Sequence, residues 1–379
     1  MFDVLLSIAI SFAITFLAIP AIINVAEMKK LFDMPDERKI HHTPITPLGG
    51  LGIFAGFVFG CMLTLHFTQS NDLQYFIAAS LVIFFLGLKD DILVISPVKK
   101  FIGQVLAAFI IIYYGETQIH SMQGFLGFYQ LPEMFSLLLT YFAVIVVINS
   151  FNLIDGVDGL AGSLGLLSTV IFGMYFLKIN MLPYSIFAFS LAGSLLAFLI
   201  FNFQPAKIFM GDTGSLLIGT VNAILVIKFI NVANTADAAA LPIPASPAVG
   251  FTILMIPLLD TLRVFGIRIF HRRSPFSPDR NHIHHLLLDR GFSHRSITFF
   301  LLAVNLACVA LVYIGRSLDC TLLLLSVFAV FFTMIGLIYY LRPTPRLFVA
   351  RTSLKENGEL TKASTLVSLG KDSILEQKN

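Results

Sequence analysis

Apolar runs of about 20 residues, separated by short polar clusters, recur along the whole chain. A bilayer core of ~30 Å is crossed by about 20 helical residues, and about eleven windows meet that measure. They run roughly over 3–26, 48–67, 72–88, 101–115, 134–150, 159–178, 184–202, 213–231, 248–268, 297–315 and 319–341. None shows the period-two alternation of a membrane barrel, and lipid tolerates no open strand edge, so the pattern predicts helices. The expected fold is an all-α integral membrane protein, a polytopic bundle of about eleven transmembrane helices.

Composition agrees with the pattern. Of 379 residues, 57% are hydrophobic and only 12% charged, and the mean hydropathy is +0.86, which excludes an ordinary soluble domain. A formal charge of +3 is too small to argue for nucleic acid. Cys61, Cys308 and Cys320 lie in or at the ends of apolar runs without CxxC spacing, and read as small apolar side chains. The first run has no basic residue ahead of it and is too long for a secretory leader, so an uncleaved first span is expected.

Where the cations sit changes the picture more than their sum. With alternating helices, one side of the membrane receives 22 of the 25 lysines and arginines, leaving only Lys178, Lys228 and Arg316 opposite. The positive-inside rule makes the rich side cytoplasmic, with the N-terminus outside and the C-terminus inside. Residues 1–341 read as one membrane domain without internal repeats. Residues 342–379 read as a polar cytoplasmic tail, expected to be mobile and without catalytic content.

On this assignment every unusual polar cluster falls on the cytoplasmic side, in a loop or at the helix end feeding one. They are PDERKIHHTPITPLGG (35–50), KDDILVISPVKK (89–100), NSFNLIDGVDGLAG (149–162), FQPAKIFMGDTGS (203–215) and RRSPFSPDRNHIHH (272–285). Asp90 and Asp91 close an apolar helix at its negative end, where acids need a nearby cation or proton. With Lys89, Lys99 and Lys100 at hand they suggest a phosphate and metal environment in which one acid acts as base, although a solvated helix end explains either acid alone.

Asn149, Asn152 and Asp155 are spaced by three, so a helix puts them on one face, and Asp158 continues that face where glycines unwind the chain. Hard oxygen donors beside glycines suit Mg²⁺ with phosphate; a plain loop with Asx turns is the alternative. Asp212 opens a helix between glycines and reads either as a capping acid or as a metal ligand at the depth of Asn152. His282, His284 and His285 stand among Arg272, Arg273 and Arg280 without a cysteine or an HExxH pattern, which favours contact with a nucleotide or pyrophosphate over a zinc site. A basic loop that happens to be histidine-rich is the plainer alternative. His41 and His42, beside Arg38 and Lys39, carry the same ambiguity.

In this order and at these helix ends, RKIHHTPITPLGG, LKDD, NSFNLIDGVDGLAG, FMGDTGS and SPFSPDRNHIHH resemble the polyprenyl-phosphate N-acetylhexosamine-1-phosphate transferase family, which also contains the phospho-MurNAc-pentapeptide translocase. The resemblance implies transfer of a sugar 1-phosphate, foremost GlcNAc 1-phosphate, from a UDP-N-acetylhexosamine to undecaprenyl phosphate, with release of UMP, as a first membrane step of envelope polysaccharides such as O-antigen. It implies Mg²⁺, with Mn²⁺ as a substitute, held by Asp212 with Asn152. Asp90 or Asp91 would assist the lipid phosphate, Asp155 and Asp158 would organise metal or sugar, and Lys99, Asn149, Asn152, Arg280, His282, His284 and His285 would bind substrate. Some relatives carry a third acid three residues after the aspartate pair, where this chain has Val94. Partners are thus the UDP-sugar, the polyprenyl phosphate and membrane lipid, with no nucleic acid; the oligomeric state is open, a homodimer included.

Two other classes put acids near membrane helices. A secondary transporter would place them at the bilayer midplane within inverted repeats, and the acids here sit at helix ends without repeats. A CDP-alcohol phosphotransferase would need an arginine shortly after its DG and a later GxxxD, which DGVDGLAGSLG lacks.

Overall fold

The computed structural model describes residues 1–31, 45–65, 70–272, 281–340, 347–356 and 359–368. Each of the eleven apolar windows holds a helix. They are α1 (Phe2–Lys29), α2 (Gly49–Thr64), α3 (Leu73–Ile92), α4 (Pro97–Phe109, continued by a π turn to Tyr114), α5 (Glu133–Ile154), α6 (Leu160–Lys178), α7 (Leu182–Asn202), α8 (Gly211–Val232), the pair α9 (Ser246–Ile253) and α10 (Met255–Phe270), α12 (His294–Ile314) and α13 (Cys320–Tyr340). The short α11 (Ile283–Leu288) lies between α10 and α12. Among the described residues eight helices are long and apolar enough to cross a membrane, or nine if α9 and α10 are one span bent by 83°. Pro257, which has no N–H to donate back to Ile253, falls at that bend. The protein is an all-α polytopic membrane protein.

Helices α7 and α8 are buried on nearly every side and form the centre, with α1, α2 and α6 packed on α7, and α2, α3 and α5 on α8. Lipid supplies no hydrophobic drive for helices to associate, so close packing of small residues carries the contact. On α2 a Cβ at Gly56 would lie 2.1 Å from Thr15 Oγ1, and one at Gly50 would lie 2.2 Å from Gly214 N. Only glycine permits α1 and α8 to come this near.

The Lys- and Arg-free segment 116–133 gives no strand signal, yet it holds a hairpin of β1 (Ser121–Phe125) with β2 (Phe128–Gln130). The two residues of the turn, Leu126 and Gly127, both have positive φ, at 50° and 83°.

A second compact unit begins at Met334. In the segment read from sequence as a polar extension, it pairs β3 (Leu347–Glu356) antiparallel with β4 (Glu359–Ser368), in register from Leu347↔Ser368 to Glu356↔Glu359.

Candidate active site

The turn that opens α8 is the anchor of the site. Gly211 adopts φ +71°, and a Cβ there would lie 2.0 Å from Pro47 O and 2.7 Å from Asp91 Oδ1. Backbone bonds clamp the flanking chain to the residues before α2: Phe209 N–H donates to Thr46 O, and Gly49 and Gly50 N–H donate to Phe209 and Met210 O, each at 2.9 Å. The PLGG stretch therefore acts as backbone, bracing the turn that carries Asp212.

Helix α3 reaches this turn through Gly87, where a Cβ would lie 2.5 Å from Thr213 Cα. One turn later, Asp91 accepts the backbone N–H of Asp212 at 2.7 Å and of Thr213 at 3.0 Å, together with the Thr213 hydroxyl. An α-helix leaves its first N–H groups without intrahelical partners, and a carboxylate is well suited to cap them. Both oxygens of Asp91 are thus engaged in capping α8.

Its neighbour Asp90 faces a different group. Asp90 Oδ1 accepts Ile95 N–H at 2.8 Å, and Oδ2 lies 3.2 Å from Lys100 Nζ. Lys100 also pairs with Asp212 Oδ2 and donates to Asn152 Oδ1 at 3.3 Å. Asn152 in turn donates to Asp212 Oδ1 at 2.7 Å and to Ser215 Oγ at 3.0 Å. One ammonium therefore sits between two carboxylates from different helices.

A cavity of about 230 Å³ opens beside this cluster. Its lining is mixed: Asp90, Lys100, Gln104, Asn149, Asn152 and Arg268 are polar, and side chains such as Val94, Phe101, Leu153 and Phe265 are apolar. Asn149 and Gln104 bond to each other in both directions, at 2.8 and 3.3 Å, which fixes both amides.

The DGVDG loop joins α5 to α6 and is locked from below. Gly159 has φ +78°, its N–H donates to Asn202 Oδ1 at 2.8 Å, and Asn202 donates to Ile208 O at 2.9 Å. Asp158 is buried; its backbone N–H donates to His294 Nδ1 at 3.2 Å, and its carboxylate lies 3.3 Å from the same nitrogen. Asp155 is half-buried, and desolvation by the surrounding protein, then the Asp212, Asp91 and Asp158 carboxylates, hold its carboxyl well above the ordinary range. Negative charge is in excess here, which is the condition for a bound cation.

The histidine segment closes the same end of the bundle. His284 lies so near the DGVDG loop that a Cβ at Gly156 would be 2.5 Å from its Nε2. Burial first, and then the His285 imidazole, push His284 down to about 3, so it is neutral across the physiological range. The His282 and His284 rings stack at 5.7 Å, and those of His284 and His285 lie 4.3 Å apart.

Of the residues singled out in the sequence, Asp90, Asp91, Asn149, Asn152, Asp155, Asp158, Asp212, His282, His284 and His285 gather at this end of the bundle. Lys99 does not join them: it is exposed, because adjacent positions on α4 diverge by about 100°, and Lys100 takes the inward place. Arg280, with Arg38, Lys39, His41, His42 and Arg273, lies outside the described residues. Sequence reading missed Gln104, Asn202, Asp260, Arg263 and His294. For Asp260 the signal was present, since an acid inside an apolar span with an arginine at i+3 is seldom incidental.

Among the described residues no three His, Cys, Asp or Glu side chains converge on a metal cage. The donors that do meet are Asp212, Asn152 and Asp90, hard oxygens arranged around the Lys100 ammonium, with Ser215 Oγ bonded to Asn152 behind them. That set fits Mg²⁺, which is usually held by one or two carboxylates and completed by substrate phosphate and water.

A polytopic bundle with carboxylates, amides and imidazoles converging at one end of its helices defines a membrane protein with a built polar site. Comparison with known proteins narrows the class. Residues 73–230 match the model of glycosyl transferase family 4. The chain is 33% identical over 310 residues to the decaprenyl-phosphate N-acetylglucosaminephosphotransferase of Mycobacterium leprae, covering 76% of this chain and 77% of that one. It is 33% identical over 293 residues to the undecaprenyl-phosphate alpha-N-acetylglucosaminyl 1-phosphate transferase of Escherichia coli, with the same coverage. The chain belongs to this family of polyprenyl-phosphate N-acetylglucosamine phosphotransferases, and it is a multi-pass membrane transferase.

Proposed function

We propose that this protein transfers N-acetylglucosamine 1-phosphate from UDP-GlcNAc to undecaprenyl phosphate at the cytoplasmic face of the membrane, releasing UMP and starting an envelope polysaccharide. The observation that carries it is the single ammonium of Lys100 held between Asp90 and Asp212, with Asn152, on a cavity lined by both polar and apolar side chains. A soluble nucleotide and a lipid phosphate meet only at a membrane boundary, and a cavity of mixed walls suits a headgroup that still carries its tail. The names of the relatives support the donor sugar and the polyprenyl acceptor.

An oxygen of the lipid phosphate attacks the phosphorus that bears the sugar. The bond from that phosphorus to the bridging oxygen breaks, and UMP departs with the electron pair. Both reactants are anions, so positioning and offset of charge dominate such a reaction. Lys100 offsets charge at the acceptor, Asp90 orients that headgroup through Lys100, and Asn149 and Asn152 give fixed amide groups at the cavity wall. Asp91 acts from behind by fixing the turn that carries Asp212. Asp212 with Asn152 would hold Mg²⁺, or Mn²⁺ in its place, which supplies Lewis-acid stabilisation of the pyrophosphate charge. Asp155 and Asp158 shape the loop on the donor side, where neutral His284 and its neighbours His282 and His285 face the nucleotide sugar. A lipid phosphate dianion is already nucleophilic, so direct attack needs no covalent enzyme intermediate.

The test is purified protein given a panel of UDP-sugars, undecaprenyl phosphate and Mg²⁺, with the lipid product read by mass spectrometry. A GlcNAc-pyrophosphoryl lipid formed in step with UMP is expected. Exclusive use of another UDP-sugar would overturn the donor, and UMP released without acceptor, leaving phospho-sugar on the protein, would overturn direct attack.

A further inference from the structure

Asp260 lies on α10, beyond the bend, and is fully buried. Its carboxylate has three partners: Oδ2 accepts from His282 Nδ1 at 2.9 Å, and Oδ1 accepts from Ile283 N–H at 3.0 Å and from Arg263 Nη2 at 2.9 Å. Arg263, also buried, donates as well to the backbone carbonyl of Asn281. One acid and one arginine, three residues apart on a helix, thus grip three consecutive residues at the start of the histidine segment.

A carboxylate can only accept, so the proton on His282 is fixed at Nδ1. Nε2 of His282 and Nδ1 of His284 are then left buried and without a hydrogen-bond partner among the described residues. Buried polar atoms are rarely left so, and in a substrate-binding protein they mark where substrate supplies the partner. The opposite flank of α10 bears Phe265 and Arg268, which line the cavity beside Lys100. The bent helix therefore serves the acceptor cavity with one flank and the histidine segment with another.

We infer that Asp260 is a positioning residue for the nucleotide-sugar half of the site, holding His282 and Ile283 so that the unpartnered imidazole nitrogens meet the donor substrate. It acts through His282 and touches no reacting atom. This rests on the reaction proposed above.

The experiment uses full-length protein in nanodiscs, with UMP as binding probe and with KM measured separately for UDP-GlcNAc and undecaprenyl phosphate. Asp260→Asn keeps the size but replaces an accepting oxygen by an amide N–H₂ group. By analogy with residues that orient a ligating histidine, it should weaken UMP binding about ten-fold or more, while the acceptor KM stays within about two-fold. In a His282→Ala background the same change should add almost nothing, because Asp260 acts through that ring. Fully additive losses, or equal losses for donor and acceptor, overturn the inference, since a general packing role predicts both. If Asp260→Asn does not fold, Asp260→Glu, which keeps the charge but displaces it, is put to the same comparison; unchanged UMP affinity in that variant is equally contradictory. Wild-type turnover with no effect of either variant on UMP overturns this inference alone. Wild-type protein that neither binds UMP nor turns over any UDP-sugar overturns the reaction and this inference with it.

Discussion

The carboxylate of Asp91 accepts the backbone N–H of Asp212 at 2.7 Å, so the second acid of the LKDD motif serves the helix that bears the principal acid of the site. Asp90, adjacent in sequence, bonds instead to Lys100 and the backbone of Ile95. The two aspartates should therefore separate experimentally. Asp91→Ala removes the cap of α8 and should lower stability by about 1–2 kcal/mol, with activity lost because the turn of Asp212 shifts. Asp90→Asn should abolish most activity with the melting temperature nearly unchanged. Thermal unfolding in detergent beside a transfer assay distinguishes them, and equal destabilisation by both would count against the assignment.

Lys100 should be far more important than Lys99. Lys100→Met leaves Asp90 and Asp212 facing each other without their shared cation, and by the size of typical charge-stabilising contacts should cost about 100-fold or more in kcat. Lys99→Met, at an exposed position, should leave turnover within about two-fold of wild type. Steady-state kinetics of the two variants in parallel decides the matter.

His284 gives the protein a specific acid sensitivity. The unfolded chain takes up a proton on this imidazole near pH 6.5, whereas the folded protein resists it until about 3, so protonation favours the unfolded state within that window. Stability should fall as pH drops below about 6.5, by at most ~1.4 kcal/mol per pH unit from this group. His284→Gln should flatten the dependence of the melting temperature on pH between about 6.5 and 4; an unaltered slope would show that His284 is not shielded as its burial indicates.

The excess of carboxylates around Asp155 should make the fold responsive to divalent cations. Asp155 is disfavoured as an anion by burial and by Asp212, Asp91 and Asp158, and a cation in their midst reverses that balance. Mg²⁺ should raise the melting temperature, chelation should lower it again, and Asp212→Asn should remove most of the response. A response equally large in Asp212→Asn would place the cation elsewhere.

Much of this was legible in the sequence, for physical reasons. Acids, amides and histidines at the mouths of apolar runs are costly in a membrane, so NSFNLIDGVDG, MGDTGS and HIHH stand out without any structure. Helical phase was harder to read. Lys99 and Lys100 are equivalent as letters, and only the packing of α4 against α3 and α5 shows which faces the acids. The bend at Leu254 was hidden because residues 248–268 are apolar on both sides of it, with Pro257 as the one local sign. Asp260 and Arg263 carried a sign of their own, an i,i+3 ion pair inside an apolar run, but the partners His282 and Ile283 lie more than 20 residues away, beyond the reach of spacing rules. The hairpin at 121–130 escaped because its turn depends on positive φ at Leu126 and Gly127, the first a residue that seldom adopts it, rather than on any alternation in its strands.

The most direct measurement of the central claim is product formation by wild type and Asp212→Asn, each shown to be folded, with UDP-GlcNAc, undecaprenyl phosphate and Mg²⁺. The account predicts one UMP for each lipid-linked GlcNAc pyrophosphate in the wild type and neither product above background in the variant. Full transfer by Asp212→Asn would contradict it, because the group that joins Lys100, Asn152 and the capped turn of α8 would then be dispensable.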